Sequence, residues 1–377
     1  MNENIYLDLS EIVRTPRRTG IQRVEREAIR HWSGPPPIPC IVSPAGQLIR
    51  LPAEVLGVLC ADDDGGPAAR TAERERLGEL SGAGEPVPDE DVGRLLNLEL
   101  FFDPVRADAH LRLAGAGTRV MWYLYDFLPF LHPERFPPGT TRHCMHFLRG
   151  ARAAGDRLAF LSEQTRNEYV NRVGRRAPPA QGWPVLHPGA DGLGLERQTF
   201  QPARRDFVAI GTIEPRKNPD ALLDGFAMLW ERGLDARLVL AGLIAEEAVR
   251  VRRFLEQHVD EPRLTVLDQP SDTVLRHVLR RARAVVMPSE AEGFGLPPYE
   301  ALYAGIPAIA SAALPSMASK PAGAMLLPRA DAASIAAAVE SLLDDATAAR
   351  MWAAAADLDL PRWRDFGRQM AEWARTA

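Results

Sequence analysis

The chain has 377 residues, which is more than one hydrophobic core usually organises, so two domains are expected. Its apolar content of 46% and charged content of 25% exclude a disordered or fibrous protein, and a net charge of −5 argues against general nucleic-acid binding. The opening residues MNENIYLDLS lack a basic segment followed by an apolar one, and no run of about 18 apolar residues occurs. We therefore expect a cytoplasmic protein.

Short apolar segments of strand type recur along the chain, and segments of helical period separate many of them. In the first half these segments are 4–10, 38–43, 98–102, 118–125, 157–162 and 183–187, and in the second half 206–211, 236–242, 263–268, 283–289, 306–311 and 323–328. Strands joined by helices form largely parallel sheets. The sequence thus predicts an α/β fold with two Rossmann-like, doubly wound domains.

A polar stretch near residues 194–206 separates the two series of strands. We assign 1–200 to an N-terminal domain, 201–360 to a C-terminal domain and 361–377 to a final helix. Residues 61–94 are polar and rich in glycine and proline, which predicts a long loop or insertion.

The segment GTIEPRKNPDALLDGF places Arg216 beside Lys217, one of only two lysines among 45 lysines and arginines. An apolar strand ends at Gly211, and Asn218, followed by a proline, predicts the start of a helix. The turn would lie at the carboxyl edge of a parallel sheet, beside a helix N-terminus that carries about +0.5 charge. The two cations indicate an anion site, and a lysine acts on phosphate as a point charge. The alternative is a solvated basic turn.

A second motif, EAEGFGLPPYEALYAGIPAIAS, follows another apolar strand at residues 290–311. Its prolines mark the start of a helix, and the backbone N–H groups of residues 293–296 are placed to receive a phosphate or sugar oxygen. Glu292 and Glu300 flank that position, and a carboxylate can accept hydrogen bonds from neighbouring hydroxyls. Each glutamate alone has a simpler explanation, since Glu300 favours the helix dipole and Glu292 could be exposed. Together with the two cations, they indicate a nucleotide-sugar.

These motifs also carry a family resemblance. GTIEPRKN and EAEGFGLPPYEALYAGIPAIAS, with the Glu-x7-Glu spacing, resemble the donor-binding half of retaining glycosyltransferases of family 4, which have the glycosyltransferase-B (GT-B) fold. YLDLSEIVRTPRRTGIQRVERE and YLYDFLPFLHPERF resemble a bacterial branch of that family associated with surface polysaccharides such as O-antigens. HPGAD and PRWRDFGRQMAEWAR also match in place. The resemblance covers nearly the whole chain except 61–94.

The resemblance implies two Rossmann-like domains facing a cleft, with the final helix crossing back to the N-terminal domain. It implies that Arg216 and Lys217 bind the donor diphosphate and stabilise the leaving group, that Glu292 holds sugar hydroxyls and that Glu300 holds ribose hydroxyls. The implied donor-binding residues are Gly20, Gly211, Thr212, Arg216, Lys217, Glu292, Gly293, Phe294, Gly295, Leu296 and Glu300.

The N-terminal half contributes two further candidates. Gly20 is expected to end a loop after the first strand and to let backbone approach the diphosphate. Many family members have a histidine before the aspartate of YLYDFLP, whereas this chain has Tyr125 before Asp126. Asp126 is therefore the candidate for a catalytic group that contacts sugar or acceptor, together with Arg216, Lys217 and Glu292. The alternative is an aspartate that caps the following turn.

The family reaction uses no metal or other cofactor and retains the anomeric configuration. We expect transfer of a hexose, with mannose from GDP-mannose as the specific hypothesis, to a glycan or a lipid-linked oligosaccharide. The alternatives are a transferase with a small-molecule or glycolipid acceptor and a sugar-nucleotide epimerase of the same fold. The aspartates at 62–64 precede Gly-Gly-Pro, which favours a solvated turn over a metal site.

An arginine cluster in the first motif raises the question of a membrane partner. Arg14, Arg17, Arg18 and Arg23 lie in or next to the expected loop. They predict either peripheral contact with a lipid diphosphate or an anionic membrane surface, or only a solvated face. No nucleic-acid partner is expected.

Overall fold

The computed structural model describes residues 4–16, 19–61, 66–136 and 138–377. The chain divides into two compact units. The N-terminal unit comprises residues 1–189 together with 361–377, and the C-terminal unit comprises residues 190–360. The division falls about ten residues before the expected one at residue 200.

The N-terminal unit is built on a seven-stranded sheet with helices between its strands. Its strands are β1 (Ile5–Asp8), β2 (Ile38–Val42), β3 (Leu48–Arg50), β4 (Glu85–Pro86), β5 (Arg94–Asn97), β6 (Arg119–Leu124) and β7 (Leu158–Phe160). Its helices are α1 (Ser10–Arg14), α2 (Gly20–Arg30), α3 (Glu54–Leu59), α4 (Gly66–Gly82), α5 (Pro104–Gly115), α6 (Leu128–Leu131), α7 (Thr140–Ala151), α8 (Glu163–Glu168) and, from the end of the chain, α15 (Trp363–Thr376).

The strand order of this sheet is β4-β3-β2-β1-β5-β6-β7. β3 pairs antiparallel with both β2 and β4 at one edge, and the remaining neighbours, β2–β1, β1–β5, β5–β6 and β6–β7, pair parallel. The chain reverses its direction of winding between β1 and β5, which brings Asp8 opposite Asn97 at the carboxyl edge. The strand expected at 98–102 instead ends at Asn97, and the expected strand at 183–187 is reduced to a bridge between Val185 and Phe160.

The prediction of a loop over 61–94 is wrong for most of that range. Residues 66–82 form helix α4, and strands β4 and β5 also begin within the range. Glycine and proline lie at the two ends of the segment, whereas its centre, AARTAERERLGEL, consists largely of good helix formers. Leu77 and Leu80 are buried, and Glu73 forms an ion pair of 2.7 Å with Arg26 on α2. Counting glycine and proline over the whole segment concealed the helix. Residues 62–65, including the three aspartates, lie outside the described ranges.

The C-terminal unit contains a six-stranded, wholly parallel sheet in the order β10-β9-β8-β11-β12-β13. Its strands are β8 (Asp206–Ile210), β9 (Arg237–Ala241), β10 (Leu264–Leu267), β11 (Ala282–Met287), β12 (Ala308–Ser311) and β13 (Ala324–Leu327). Its helices are α9 (Pro219–Glu231), α10 (Val249–Gln257), α11 (Asp272–Arg281), α12 (Leu296–Tyr303), α13 (Ala332–Leu343) and α14 (Asp345–Ala356). The prediction of two doubly wound, Rossmann-like domains is confirmed.

Helix α15 packs within the N-terminal unit. Phe366 contacts Tyr123 of β6 with ring centroids 5.8 Å apart, and Gly367 lies against the backbone of His31 at the end of α2. Arg375 donates a hydrogen bond of 2.7 Å to the Ser33 carbonyl. In the described part of the chain, no helix combines the length and apolar character needed to cross a bilayer.

Candidate functional site

The site in the C-terminal unit is formed by two loops that follow β8 and β11, the strands that flank the switch point of the sheet. In the first loop, residues 215–217 form a single turn of 3-10 helix that leads into α9. The Glu290 N–H donates to the Arg216 carbonyl at 3.0 Å, and Arg216 Nη1 donates to the Ala291 carbonyl at 2.9 Å. These two bonds fix the first loop to the second, at the position where open α/β sheets bind ligands.

Asn218 stands at the N-cap position of α9, but its side chain connects other segments instead of capping the helix. It has φ of 58° and makes no capping hydrogen bond from its side chain. Its Nδ2 instead donates to the carbonyls of Ala330 at 2.6 Å and Pro288 at 3.4 Å. The asparagine is favoured here because it tolerates the left-handed conformation. It thereby lets the chain turn from Lys217 directly into α9.

Arg216 lies between two carboxylates. Its Nη1 is 2.6 Å from Glu292 Oε2, and its Nη2 is 2.6 Å from Glu214 Oε1. The exposed fractions of the three side chains are 17% for Arg216, 11% for Glu292 and 30% for Glu214. Such charge-assisted bonds, partly shielded from water, are stronger than surface ion pairs. The structure therefore brings together two of the predicted residues, which are 76 positions apart in the sequence.

Lys217 lies over the end of β8. Its ammonium is so close to Gly211 that a Cβ atom at that position would collide with Nζ. Gly211 has φ of +117°, in the region that favours glycine. Burial lowers the pKa of the Lys217 ammonium, whereas the nearby Glu292 carboxylate raises it. The glycine is thus required both for its backbone conformation and for the space that the lysine occupies.

A Gly211→Ala substitution tests this packing. The left-handed backbone should cost the C-terminal unit about 1–3 kcal/mol, and the new methyl group should displace the ammonium. The matched control is Gly233→Ala, because Gly233 has φ of +74° and no atom near its added Cβ. We expect both variants to lose stability in thermal unfolding, but only Gly211→Ala to weaken nucleoside diphosphate binding, by about tenfold. Equal binding by the two variants would contradict a role for this contact.

The second loop leads into the N-terminus of α12, and its backbone is held in a turn at Gly295. Gly295 has φ of +94°, and its carbonyl accepts a hydrogen bond of 2.9 Å from Ser316 Oγ. Phe294 is buried against Tyr299, with ring centroids 5.2 Å apart. Gly295 is the N-cap and Leu296 the first residue of α12, so their backbone N–H groups lie at the positive end of the helix. Glu300 is buried in the same helix.

The two candidates from the N-terminal half lie in the other unit. Gly20 is exposed and is the first residue of α2, so it lies where the expected loop ends and the helix begins. Asp126 Oδ1 accepts a hydrogen bond of 3.1 Å from the Leu128 N–H, which is the structural alternative stated above. Tyr125 is buried, and its hydroxyl donates to the Leu98 carbonyl at 2.6 Å.

The arginines considered for membrane contact differ in their surroundings. Arg14 donates to the Val42 carbonyl and lies 3.8 Å from Asp103, with 39% of its side chain exposed. Arg23 lies on α2 and is half-buried. Arg17 and Arg18 lie outside the described residues.

A buried cluster of charged groups lies at the carboxyl edge of the N-terminal sheet. Arg106 of α5 donates to Asp8 Oδ2 at 2.7 Å and also pairs with Glu99. His110 Nε2 lies 2.7 Å from Asp8 Oδ2, and all four side chains are almost fully buried. Burial raises the pKa of Glu99 to about 7 although Arg106 opposes it. For Asp8, Arg106 and His110 outweigh burial and hold its pKa well below the usual range.

This cluster supports the short helix α1. Glu99 accepts hydrogen bonds from the N–H groups of Glu11 and Ile12, the shortest at 2.7 Å, and Asp8 accepts one of 3.1 Å from the Ser10 N–H. A helix of five residues is not stable alone in water. The buried carboxylates therefore fix α1 at the start of the arginine-rich segment.

Sequence reasoning missed both Glu214 and the buried cluster. Glu214 stands in the same motif as Arg216, but its neighbour Pro215 gives no indication that it turns back onto the guanidinium. An acid at the end of the apolar strand IYLD was a weak signal for Asp8, because a buried charge requires a partner. Its partner Arg106 lies 98 positions away and could not be identified from spacing.

The C-terminal unit is thus a doubly wound α/β domain with Arg216, Lys217 and two paired carboxylates at its switch point. Residues 196–358 match the family model described as glycosyl transferases group 1. Serotype-specific mannosyltransferase WbdA from Escherichia coli is 27% identical over 330 residues, which cover 81% of this chain and 38% of that protein. D-inositol 3-phosphate glycosyltransferase from Mycobacterium marinum is 32% identical over 203 residues, which cover 50% of this chain and 42% of that protein. The chain thus spans less than half the length of these relatives.

Solved structures resemble the whole chain. Anabaena HepE in complex with UDP and glucose has a TM-score of 0.66 at 13% identity, with 98% of each chain covered. Sucrose-phosphate synthase from Thermosynechococcus elongatus has a TM-score of 0.65 at 16% identity, covering 98% of this chain and 97% of that one. The fold is that of the GT-B glycosyltransferases, and the C-terminal unit carries a glycosyltransferase group 1 domain.

Proposed function

We propose that the chain is a retaining glycosyltransferase of family 4 that transfers a hexose from a nucleotide-sugar to a glycan or lipid-linked oligosaccharide. The observation that carries the proposal is the grouping of Arg216, Lys217 and Glu292 beside the first residues of α12. Two cations and a helix N-terminus suit a diphosphate. A buried carboxylate beside them suits sugar hydroxyls, which a site for phosphate alone would not need.

The proposed chemistry follows from where charge develops. As the bond between sugar and diphosphate breaks, negative charge grows on the leaving oxygen. Arg216, Lys217 and the N–H groups before Leu296 would stabilise that charge, and each well-placed donor is typically worth about 3 kcal/mol of barrier. Glu292 would orient the sugar, and Glu300 the ribose. Transfer with retention would place the acceptor hydroxyl on the face from which the diphosphate leaves, and no metal is required in this scheme.

The specific donor that we propose is GDP-mannose, with a bacterial surface polysaccharide as the product. WbdA and the O-antigen chain mannosyltransferase B from Escherichia coli support this choice, since both are mannosyltransferases by name. The second of these is 27% identical over 212 residues, which cover 51% of this chain. We further propose that the protein works at the cytoplasmic face of the membrane, where Arg14, Arg17, Arg18 and Arg23 would contact a lipid-linked acceptor. Asp126 remains the proposed contact to the sugar or acceptor.

Thermal unfolding without added metal tests the donor. A ligand present at 100 times its dissociation constant should add about 2.7 kcal/mol to the stability of the unit that binds it. We expect GDP and GDP-mannose to raise the unfolding temperature more than UDP, dTDP or ADP and their sugar conjugates. No shift with any nucleotide would contradict the proposal, and a selective shift with UDP would replace the donor.

Product analysis tests the reaction. NMR of the product formed from the donor and an oligosaccharide acceptor should show the donor's anomeric configuration. Inversion would contradict retention, and conversion of the donor without any acceptor would favour an epimerase.

A further inference from the structure

Glu292 occupies the hydrogen-bonding position on Arg216 that a diphosphate would need. Arg216 Nη1 forms an ion pair with Glu292 Oε2 at 2.6 Å and donates a hydrogen bond of 2.9 Å to the Ala291 carbonyl. The carbonyl belongs to backbone that is itself fixed to the first loop by the Glu290 N–H. A phosphate oxygen that approaches Nη1 must therefore compete with the Glu292 carboxylate, because the Ala291 acceptor is backbone and Glu292 is a side chain.

The second carboxylate oxygen of Glu292, Oε1, is buried and lacks a hydrogen-bond partner among the described residues. Leaving such an atom unpaired typically costs about 1–3 kcal/mol. A sugar hydroxyl that donates to Glu292 would remove this cost and would stabilise the carboxylate in a position away from Arg216. Glu292 thus has two alternative partners, the guanidinium and a hydroxyl group.

Glu214 keeps Arg216 in place during such an exchange. Its carboxylate is 2.6 Å from Nη2, whereas Glu292 pairs with Nη1. Its carbonyl also accepts the Lys217 N–H at 2.9 Å, so Glu214 is part of the same turn. The guanidinium can therefore lose its contact with Glu292 and remain beside Lys217, where both cations face the same anion.

We propose that Glu292 competes with the nucleoside diphosphate for Arg216 and thereby promotes release of the product. This inference rests on the proposed function of the site. While the intact nucleotide-sugar is bound, the sugar hydroxyls hold Glu292 and leave Arg216 to the phosphates. Once the sugar has moved to the acceptor, its hydroxyls leave with it. Glu292 then returns to Arg216, and the site binds the nucleoside diphosphate less tightly than it bound the donor.

The test is calorimetric titration of wild type and Glu292→Gln with GDP, GDP-mannose and pyrophosphate, which has no base. The amide cannot form an ion pair with Arg216, so GDP and pyrophosphate should bind the variant about 5- to 10-fold more tightly than wild type. The affinity for GDP-mannose should increase less, because the sugar hydroxyls no longer have a carboxylate to donate to. The rate of sugar transfer by Glu292→Gln should fall by about 100-fold. The matched control is Glu340→Gln, which removes a glutamate from an exposed pair with Arg232 and should change no affinity.

The outcomes separate this inference from the proposed function. If wild type binds GDP and Glu292→Gln binds it equally or more weakly, the competition is overturned while the donor site stands. If wild type binds none of GDP, UDP, dTDP or ADP, the proposed function fails and the competition fails with it. A crystal structure of wild type with GDP-mannose provides a readout that needs no variant. The distance of 2.6 Å between Arg216 Nη1 and Glu292 Oε2 should increase beyond hydrogen-bonding range, and an intact pair would also overturn the proposal.

Discussion

Replacing Lys217 by alanine should lower kcat/KM for sugar transfer by about 100- to 1000-fold, because one donor aimed at a developing oxyanion is worth roughly 3–4 kcal/mol. The Lys217 ammonium lies over Gly211 at the end of β8. Arg216 is in the same turn, at the switch point of the sheet. Loss of the ammonium should weaken binding of the diphosphate and stabilisation of the leaving group together. The measurement is steady-state transfer from GDP-mannose, with GDP affinity determined separately.

The control for this prediction is Lys320→Ala, which removes the other lysine of the chain. Lys320 is exposed, so its replacement removes one positive charge and leaves the candidate site unchanged. Its backbone is left-handed, with φ of 50°. Activity of Lys217→Ala above a tenth of wild type would show that Lys217 does not act on the leaving group.

Lys217→Arg should restore little of the lost activity. An arginine conserves the charge, but its planar guanidinium is larger than an ammonium, and the space above Gly211 is already filled by Nζ. We expect recovery of less than tenfold over Lys217→Ala. That result would explain why a lysine stands here in a chain whose only other lysine is Lys320. Full recovery would mean that only the charge matters at this position.

The C-terminal unit was largely predictable from sequence because its signals are local. Each of the two loops of the candidate site lies between an apolar strand and a helix with proline in its first two positions, as α9 and α12 show. The apolar face of α9, with Leu222, Leu223 and Phe226, is buried as the helical period predicts. Local patterns of this kind fix elements and the edge of the sheet at which side chains emerge.

Interactions between distant residues could not be predicted in the same way. The pairing of Arg216 with Glu292 depends on how the two loops meet, and the sequence predicted only that both residues lie near the same edge. Asn218 is the N-cap of α9 as expected, but its side chain bonds to the Ala330 and Pro288 carbonyls instead of to the first turn of the helix, which no local pattern could show. The loop prediction for residues 66–82 was wrong for a different reason. It averaged composition over a helix and the segments rich in glycine and proline at its two ends.

The buried cluster of the N-terminal unit should dominate the stability of that unit. Arg106→Leu would leave Asp8 and Glu99 buried without their cation, and removing one partner of a buried pair typically costs about 3–5 kcal/mol. The control is Arg112→Leu on the same helix, because Arg112 pairs with Asp89 at a position where 44% of its side chain is exposed. That loss should cost less than about 1 kcal/mol. Hydrogen exchange of peptides covering β1 and β5, measured across a urea series, reports the stability of this region.

The loss caused by Arg106→Leu should depend on pH. With Arg106 present, Asp8 has a depressed pKa, so its contribution is present above the unfolded value of about 3.9 and lost as pH falls below it. Burial raises the pKa of Glu99 to about 7, so folding is favoured by its protonation below the unfolded value of about 4.3, and this contribution is lost as pH rises through 7. Removing Arg106 should raise the pKa of both carboxyls, because each loses a neighbouring cation.

His110 changes in the same direction. Burial lowers the pKa of His110, its contact with Asp8 raises it and Arg106 lowers it, so loss of Arg106 favours a proton on His110 while Asp8 is ionised. The Asp8–His110 pair and Glu99 therefore take up protons more easily in Arg106→Leu, and the folded variant should recover stability as pH falls. We expect the difference from wild type to be several-fold smaller at pH 5 than at pH 8. A loss of stability of equal size at both pH values would show that Arg106 stabilises the unit by packing and not by neutralising buried carboxylates. One such packing contact is with Phe101, whose ring centre lies 4.1 Å from the Arg106 guanidinium carbon.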